Sequence, residues 1–337
     1  MKARIRDMTV DFVILWLDGS DVEWQREKYF YSNAKEDSST AANRFRDWDN
    51  LHYWFRSVEK NASWVNKIHF VTYGHLPKWL NTDHPKIHIV YHTQILKREW
   101  CPTFNSSVLV TNLFRIPDLS EHFVLFNDDM FVLQPLNRAF FFSKDGLPMD
   151  RAIQTALIPD NSGIFHIRSN NLAILNKHFK KKDCWKKNWK KYLSIRYGAD
   201  LYRNIALLPW SNWTGFYDDH LPASYLKSSF EKIWSLEEEF LSKASGCRFR
   251  SRDDYSEWLM RYYQYAKGLF TPCAKRGKFF DLESIADVQY ASEQILQNTM
   301  KMACFNDSLK NESFEDAKSL LNASLEKLFP KKSEFEK

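Results

Sequence analysis

The 337-residue sequence is poor in glycine and lacks the glycine-rich motifs of the common nucleotide-binding folds. It holds nine glycines and contains neither G-x-G-x-x-G nor G-x-x-x-x-G-K-[ST], which argues against a Rossmann dinucleotide site and a P-loop. No apolar run approaches the roughly 20 residues that a membrane-spanning helix needs. No apolar segment precedes the first predicted strand, so neither a membrane span nor a signal peptide is expected.

Cysteine is scarce as well, and its spacing excludes two kinds of site. The five cysteines are Cys101, Cys184, Cys247, Cys273 and Cys304, an odd number without a C-x-x-C pair. This pattern argues against a zinc site and against a disulfide framework, and it favours a reducing cytoplasm. The net charge of +6 and the aromatic content of 16% fit an anionic ligand, a glycan or a membrane surface without choosing among them.

Strand-forming apolar runs alternate with amphipathic helical patterns in the first half of the chain. Helical spacing starts near Leu51, and a helix cap is expected at Asn105 or Ser106. The alternation predicts an α/β fold whose mostly parallel, Rossmann-type sheet is flanked by helices, with a helical C-terminal portion. The predicted strands are Val10–Leu17, Lys67–Thr72, Lys86–Tyr91 and Phe123–Phe126.

Two further helices are predicted in the second half. One runs from Ala223 to Trp234, directly after a loop that is dense in polar and aromatic residues. The other is a charged amphipathic tail helix within Glu312–Lys337, which we expect to pack on the surface. We predict a single domain over residues 1–310, which contains a basic helical insertion at 173–200, followed by the tail at 311–337.

The sequence Asn127-Asp128-Asp129 follows a strand that is apolar on both faces. In open α/β sheets, ligands bind beyond the carboxyl ends of the strands. A divalent metal carrying a diphosphate would neutralise Asp128 and Asp129 there, and Asn127 is an expected ligand contact. The competing interpretation is an ordinary turn with two solvated acids.

The first strand ends in a second polar turn, Asp18-Gly19-Ser20. Gly19 permits a tight turn and a close approach of the backbone to a ligand. Asp18 and Ser20 carry groups that can bond a ribose or a base, whereas the same turn is common without any ligand. Arg44 offers a planar donor suited to phosphate, and a helix that starts after Asn105 can receive a phosphate oxygen.

Two features of the second half carry open interpretations. His220 lies between two acids and a proline, a setting in which a histidine can act as a proton acceptor. Lys177–Tyr192 is rich in lysine and contains Trp185 and Trp189, four residues apart on one predicted helix face. This segment is either an interfacial helix for anionic lipid, a platform for an anionic glycan, or a solvated helix with two core tryptophans. Nucleic acid is not an expected partner.

Four blocks of this sequence, in order, resemble the Stealth family of capsular polysaccharide phosphotransferases, which is related to the catalytic part of N-acetylglucosamine-1-phosphotransferase. They are D-F-V-I-L-W-L-D-G-S-D at 11–21, the long block from Arg44 to Leu136, the D-H-L-P block around His220, and the short C-F-N-D block at 304–307. The long block holds R-F-R-D, P-T-F-N-S and F-N-D-D-M-F. The resemblance leaves Lys177–Tyr192 and the tail outside it.

The resemblance implies a glycosyltransferase-A-like α/β core and a specific reaction. A sugar 1-phosphate, from a hexose or N-acetylhexosamine, would pass from a UDP-sugar to a glycan hydroxyl, with release of UMP and with Mg²⁺ or Mn²⁺ as cofactor. The implied catalytic residues are Asp129, His220 and Arg250, with Arg252 as the near alternative to the arginine. The implied nucleotide contacts are Trp16, Asp18, Gly19 and Ser20.

The resemblance also implies an acceptor, which is a glycan or a lipid-linked glycan. The cysteine pattern predicts a cytoplasmic enzyme, and the Lys177–Tyr192 segment predicts peripheral contact with the inner face of the membrane. One departure stands out, because Val110 occupies the position at which the family typically carries a functional glutamate. The alternative functions are a metal-dependent glycosyltransferase that releases UDP and a catalytically silent member of the family.

Overall fold

A computed structural model describes residues 8–32, 46–160, 163–309 and 314–337. Its centre is a five-stranded sheet in the order β3-β2-β1-β4-β7, and a three-stranded sheet in the order β5-β10-β9 lies beside it. The strands are β1 Val10–Leu15, β2 Ile68–Thr72, β3 Ile87–Tyr91, β4 His122–Phe126, β5 Met130–Val132, β6 Met149–Asp150, β7 Ala223–Leu226, β8 Thr271–Pro272, β9 Lys278–Leu282 and β10 Met302–Asp307.

Helices cover the central sheet and form most of the second half of the chain. No helix among the described ranges is both long enough and apolar enough to cross a membrane. The helices are α1 Val22–Ser32, α2 Leu51–Ala62, α3 His92–Ile95, α4 Ser106–Thr111, α5 Arg138–Phe141, α6 Gly163–His178, α7 Lys181–Tyr192, α8 Leu201–Ala206, α9 Lys227–Ser245, α10 Trp258–Lys267, α11 Ile285–Gln297 and α12 Phe314–Leu328.

The central sheet is parallel except at one edge. β1 pairs in parallel with β2 and with β4, and β2 pairs in parallel with β3, whereas β7 is antiparallel to β4. The predicted α/β fold with a mostly parallel sheet and a helical C-terminal portion is therefore confirmed. The helix predicted from Ala223 is wrong in its first turn, because Ala223–Leu226 pairs with β4 and the helix begins at Lys227.

Both faces of the sheet are buried, which explains why its strands are nearly continuous apolar runs. Along β4, Val124 and Phe126 face one core cluster, and Phe123 and Leu125 face the other. The first cluster lies under α2, α11 and α12, and the second lies under α3, α4, α9 and α10. The pleat of the strand places alternate side chains on opposite faces, so one strand serves both cores.

The C-terminal segment contributes to the first core instead of lying on the surface as expected. Its buried residues include Leu321, Leu325 and Phe335. Arg56 of α2 bonds both carboxylate oxygens of Glu336, at 2.9 Å each. The prediction of a surface-packed tail is therefore wrong, because one face of α12 is needed to close the core over α2. The division at residue 310 into a domain and a tail stays a prediction.

The order of the strands fixes where a ligand is expected. From β1 the chain proceeds to β2 and β3 on one side, and β4 lies on the other side of β1. The strand order thus reverses between β1 and β4, and the crevice beyond the carboxyl ends of those two strands is the usual binding site in such sheets. Asp18 follows β1 and Asp128 and Asp129 follow β4, so the predicted polar turns meet at this crevice.

Candidate active site

Asp129 is held in the crevice by strand β10, which comes from the C-terminal part of the chain. β10 is antiparallel to β5 with Cys304 opposite Met130, and the backbone N–H of Phe305 donates to the carbonyl of Asp129 at 2.9 Å. The Cys304 thiol donates to Oδ2 of Asp129 at 3.2 Å. Burial and the negative charge of Asp129 raise the pKa of the Cys304 thiol well above its usual value, so this thiol is a neutral donor.

His220 meets the same carboxylate from a third direction. Strand β7 is antiparallel to β4 and Ala223 lies opposite Leu125, so the loop before β7 arrives at the carboxyl end of β4. One donor atom each of Asp129, His220 and Cys304 lie within 4.8 Å of one another. His220 has a positive φ of 46°, a conformation that is uncommon outside glycine and that clusters at functional sites.

The two acids before His220 anchor its loop. Asp219 accepts hydrogen bonds from Arg151 at 3.1 and 3.2 Å. Asp218 accepts one from the Tyr262 hydroxyl at 2.8 Å, and Arg261 lies 3.6 Å from it. Both carboxylates are therefore engaged with residues of the surrounding helices and loops. The histidine is positioned by these contacts, and its chemical neighbour in the crevice is Asp129.

Asp128 belongs to a group of acids at the mouth of the crevice. Its side chain is accessible to solvent, yet protein surrounds it closely, and this desolvation together with the charges of Asp129 and Asp47 raises the pKa of Asp128 to about 7. Burial and the charges of Asp49 and Asp18 also raise the pKa of Asp47. Concentrated negative charge of this kind is costly until a cation enters.

The residues fit a divalent cation. Oδ1 of Asp129 is buried and has no hydrogen-bond partner among the described residues. Such an atom is expensive to leave unsatisfied, and a carboxylate oxygen is the ligand that Mg²⁺ and Mn²⁺ prefer. The predicted ligand pair, Asp128 and Asp129, stays a prediction. In the described part of the chain, one ligand atom each of Asp129, His220 and Cys304 lie close enough together to bind the same ion.

The Asp18-Gly19-Ser20 turn lies beyond β1 as expected. Oδ1 of Asp18 accepts from both the backbone N–H and the hydroxyl of Ser20, at 2.9 and 2.6 Å. The backbone N–H of Asp18 donates to Nε2 of His75 at 2.8 Å, and the carbonyl of Gly19 accepts from Gln25. These bonds hold the turn in one shape.

Trp16 lies just before this turn and faces the first core. Its ring packs on Phe70 with 5.7 Å between centroids, and on His75 with 5.4 Å. The indole is buried, with 8% of the residue exposed. The role of Trp16, Asp18, Gly19 and Ser20 in nucleotide binding stays a prediction.

Asn105 caps helix α4 and ties it to the loop of Arg250. Its Oδ1 accepts from the backbone N–H of Ser107 at 3.0 Å, and its Nδ2 donates to both oxygens of Asp254 at 3.0 Å. Asn105 is almost fully buried and its amide is engaged on both sides. The geometry gives it a positioning role, and a direct contact with a cofactor stays a prediction that this burial disfavours.

Arg250 lies at the first turn of α4, where its Nη2 donates to the Ser106 hydroxyl at 2.9 Å. Its positive charge also acts on Glu257, a carboxyl group whose pKa is raised to about 7 by burial and by the charge of Asp218. The charges of the arginine loop and of the histidine loop therefore both act on the Glu257 carboxyl group. The predicted contact of Arg250 with a substrate phosphate stays a prediction, as does that of Arg252, whose side chain is exposed.

Two other predicted contacts have different outcomes. Arg44 lies outside the described residues. The Asn127 side chain makes no hydrogen bond within the described part of the chain, and the Asn127 carbonyl accepts from the backbone N–H of Met130 in the turn. Its amide therefore remains available to a ligand, and its role as a ligand contact stays a prediction.

Val110, at the position of the expected glutamate, is buried in the second core. It lies on α4 among apolar neighbours, where a valine is stable and an ionised carboxylate would be costly. The fold brings one acid, Asp254, to the start of α4, where it bonds the capping residue Asn105. The missing acid thus has no counterpart on α4 itself.

The lysine- and tryptophan-rich segment differs from its prediction. Trp185 is buried and stacks on Tyr192 with 4.9 Å between ring centroids, whereas 51% of Trp189 is exposed. A non-helical residue, Asn188, separates the two tryptophans and bends α7. The expectation that both share one helix face is therefore wrong, since only Trp185 belongs to a core.

Sequence reasoning missed one residue of this crevice and one that supports it. Cys304 was noted only as part of a short motif, although it bonds Asp129 directly. Asp307 of the same motif forms a bidentate pair with Arg46, at 2.7 and 3.0 Å, so it fixes β10 to the long block. The available signal was the C-F-N-D motif itself, which places a cysteine and an acid three residues apart.

The comparisons with known proteins agree with the resemblance. Residues 44–150 match Stealth protein CR2, conserved region 2, and residues 293–337 match Stealth protein CR4, conserved region 4. The second match includes the tail, so the expectation that the tail lies outside the resemblance is wrong. Mouse xyloside xylosyltransferase 1 shares 9% identity over 88% of this chain and 97% of its own, with a TM-score of 0.37, a likeness too slight to carry an argument.

Full-length relatives give the strongest evidence. A capsular polysaccharide phosphotransferase, WcwK of Streptococcus pneumoniae, is 39% identical over 97% of this chain and 98% of its own length. An exopolysaccharide phosphotransferase, cps2G of Lactiplantibacillus plantarum, is 38% identical over 97% and 96%. These relatives align with this chain over nearly its whole length, and two conserved regions of one family match it. We conclude that this chain belongs to the Stealth family.

Proposed function

We propose that this chain is a phosphotransferase of capsular or exopolysaccharide synthesis, which moves a sugar 1-phosphate from a UDP-sugar to a glycan hydroxyl. The observation that carries the proposal is the meeting of Asp129 and His220, 91 positions apart in the sequence, beyond the carboxyl ends of the central strands. The names of the relatives support the reaction class.

The proposed reaction is an attack by the acceptor hydroxyl on the sugar-bearing phosphorus of the donor. A new phosphorus–oxygen bond forms to the acceptor, and the bond from that phosphorus to the bridging oxygen breaks, so that UMP leaves. The acceptor proton passes to His220, which acts as general base. Phosphoryl transfer otherwise demands positioning and neutralisation of charge, and little covalent chemistry from the protein.

The crevice has groups for both tasks. Asp128 and Asp129 would hold Mg²⁺ or Mn²⁺, which when bound supplies charge neutralisation for the diphosphate. Cys304 bonds Oδ2 of Asp129, which leaves Oδ1 without a hydrogen-bond partner among the described residues and would make it the oxygen that binds the cation. Arg250 would stabilise charge on the phosphate oxygens, and the turn of Asp18 would contact the nucleoside.

The reverse assignment uses the same geometry. Asp129 would then accept the acceptor proton, and His220 would orient it. The two assignments differ in which group carries the proton after attack, so the pH dependence of single-turnover rates in the Asp129→Asn and His220→Gln variants separates them.

A catalytically silent protein is the second candidate, favoured by one observation, the burial of Val110 at the family's usual glutamate position. Such a protein would bind a nucleotide-sugar and release nothing. A metal-dependent glycosyltransferase is the third, since a pair of carboxylates can also serve a donor that leaves as UDP.

The test is incubation with a panel of UDP-N-acetylhexosamines and UDP-hexoses, Mg²⁺ and a fragment of the host glycan, followed by phosphorus NMR. A new phosphodiester resonance that depends on enzyme, donor and acceptor supports the proposal. Saturable binding of the nucleotide-sugars without any new phosphorus signal would favour the silent protein instead.

A further inference from the structure

Positive charge is concentrated in one short part of the chain. Residues 177–210 hold ten lysines and arginines and two aspartates, a net charge of +8, whereas the whole chain has a net charge of +6. The remaining residues therefore carry a net charge of −2. The region at 177–210 is therefore attractive to an anionic surface.

The lysines of this region are placed for contact with a surface. Lys182 and Lys186 lie four residues apart on α7, Lys190 follows the bend at Asn188, and all three are exposed. Trp189, whose ring lies under the Lys190 ammonium, has half of its surface in solvent. Two other lysines serve the fold, since Lys181 donates to the carbonyl of Leu207, and Lys191 donates to that of Phe270.

Exposed apolar side chains accompany this charge. Tyr202, Ile205 and Leu208 recur at intervals of three through α8 and the turn after it, and each leaves about half or more of its surface in solvent. Ile195 is 88% exposed, and Trp210 is 55% exposed. Isolated exposed apolar residues are ordinary, but a stripe flanked by a further isoleucine and a tryptophan marks a surface that makes contacts.

The basic helix and the apolar stripe belong to one surface. Lys181 at the start of α7 bonds the carbonyl of Leu207 just after α8, and Asn204 of α8 bonds the carbonyl of Tyr192 at the end of α7. These two bonds connect α7 with α8 and with the turn that follows α8. We call their exposed residues, Lys182, Lys186, Trp189, Lys190, Ile195, Tyr202, Ile205, Leu208 and Trp210, the basic–apolar face.

We infer that the basic–apolar face binds the surface of an anionic lipid bilayer. Lysines attract acidic headgroups, tryptophan and tyrosine favour the interfacial layer, and isoleucine and leucine gain by entering the acyl boundary. A soluble anionic glycan or a nucleic acid would satisfy the lysines but would leave Ile205 and Leu208 in water.

The face is connected to the candidate active site by a chain of ion pairs. Arg203 of α8 lies 3.7 Å from Asp200, Asp200 also pairs with Arg151, and Arg151 bonds Asp219, the residue before His220. A protein bound through this face would hold the crevice close to the membrane. Given the proposed function, the acceptor glycan would then be one that is displayed on the bilayer, although binding to the bilayer does not depend on that function.

The test is sedimentation of the full chain with vesicles, without donor or acceptor. We expect strong partition onto vesicles that contain phosphatidylglycerol, weak partition onto pure phosphatidylcholine, and a decline as salt rises. Each lysine near the surface contributes about fivefold, so Lys182→Gln/Lys186→Gln/Lys190→Gln lowers the partition about a hundredfold. Ile205→Ser/Leu208→Ser lowers it about tenfold at constant charge.

Matched controls come from exposed residues elsewhere. The triple variant Lys78→Gln/Lys331→Gln/Lys332→Gln removes the same charge, and Leu296→Ser removes an exposed leucine; both should sediment as the wild type does. Brominated lipids should quench tryptophan fluorescence in the wild type, and the quenching should fall in Trp189→Phe/Trp210→Phe.

Three results would overturn the inference. The first is no partition onto anionic vesicles at low salt, and the second is an equal loss in the control triple. The third result combines three observations. The lysine variant loses vesicle binding, neither the binding of Ile205→Ser/Leu208→Ser nor the quenching in Trp189→Phe/Trp210→Phe falls, and the protein binds soluble dextran sulfate equally well. This combination would show that the face binds a polyanion instead of a bilayer. UMP release with a soluble acceptor is measured separately, so failure of the proposed function leaves the vesicle result interpretable.

Discussion

At the scale of single residues, Asp129 is the point where three distant parts of the chain meet. Strand β4 delivers it, Cys304 of β10 bonds one of its oxygens, and His220 reaches it from the loop before β7. Asp129 and His220 were both identified from the sequence, because each stands in a motif of unusual composition. Cys304 was not, since its importance arises from a strand pairing between residues about 175 positions apart.

Replacement of Asp129 by Asn or of His220 by Ala should lower phosphotransfer at least a thousandfold, because each removes a group that acts on the reacting atoms. The measurement is the rate of UMP release, with circular dichroism as the check on folding. Asp253→Asn, which alters an exposed acid on the arginine loop, is the matched control and should keep wild-type activity. Near-normal turnover in either active-site variant would refute the role assigned to that residue.

Cys304→Ala should lower kcat about tenfold, because Oδ2 of Asp129 loses its donor and the carboxylate becomes free to turn. Cys304→Ser, which keeps a donor, should retain more activity than the alanine variant. The readout specific to positioning is the Mn²⁺ affinity, measured by electron paramagnetic resonance, which should weaken in Cys304→Ala. Cys184→Ala, another buried cysteine, is the control. Equal kinetics and equal Mn²⁺ affinity in both Cys304 variants and the wild type would contradict this role.

At the scale of elements, strand β1 is fixed in the sheet by a buried acid that the apolar pattern conceals. Asp11 accepts hydrogen bonds from Asn66 at 2.7 Å and from the backbone N–H of Ser120 at 2.8 Å, and it lies 3.1 Å from the His69 ring. Burial alone would raise the pKa of Asp11, but these bonds dominate and lower it from its usual 3.8 to about 2. The ionised acid therefore ties β1 to β2 and to the start of β4.

The pKa of Asp11 predicts a pH dependence of stability. Because the pKa is lower in the folded chain, the ionised group stabilises the fold above pH 4, and this contribution, about 2 kcal/mol, is lost as the pH falls from about 4 towards 2. Asp11→Asn should therefore be much less stable than the wild type at pH 6, with a smaller difference at pH 3. Urea unfolding at both pH values measures this.

Asp83→Asn, which changes an exposed acid, is the control for Asp11 and should match the wild type at both pH values. A stability difference between Asp11→Asn and the wild type that stays constant from pH 6 to pH 3 would contradict the ionised state assigned to Asp11.

The elements of the parallel sheet were predictable because their apolar runs are long and bounded by turn residues. The short strand β7 was not, since a stretch of four residues carries too little periodicity to distinguish a strand from the first turn of the following helix. Likewise, the bend at Asn188 separates Trp185 from Trp189. Helical spacing assumes an unbroken helix, so it could not predict this bend.

At the scale of the whole molecule, helix α2 and the C-terminal segment close one core. Arg56 of α2 is bonded by Glu336 and Glu326, and the Arg56–Glu336 pair is almost entirely buried. The sequence predicted an amphipathic α12 but not its partner, because charged residues dominate the tail and disguise the apolar stripe. The sequence pattern shows that a helix is amphipathic, but tertiary packing decides which element its apolar face covers.

Glu336→Gln should destabilise the fold by about 3 kcal/mol, because it leaves the buried guanidinium of Arg56 with a single, half-exposed carboxylate. The free energy of unfolding in urea is the measurement. Glu334→Gln alters an acid two residues away that is 85% exposed, and it should change stability by less than 0.5 kcal/mol or so. Equal effects of the two substitutions would show that the buried pair does not hold the C-terminal segment in place.

The central claim concerns the bond that is broken in the donor, and the released nucleotide reports on it directly. With a UDP-sugar, Mg²⁺ and a glycan acceptor, chromatography of the products should show UMP, in equal amount to the phosphodiester formed, and neither product should form with His220→Ala. Release of UDP, with no phosphorus in the glycan product, would contradict the account.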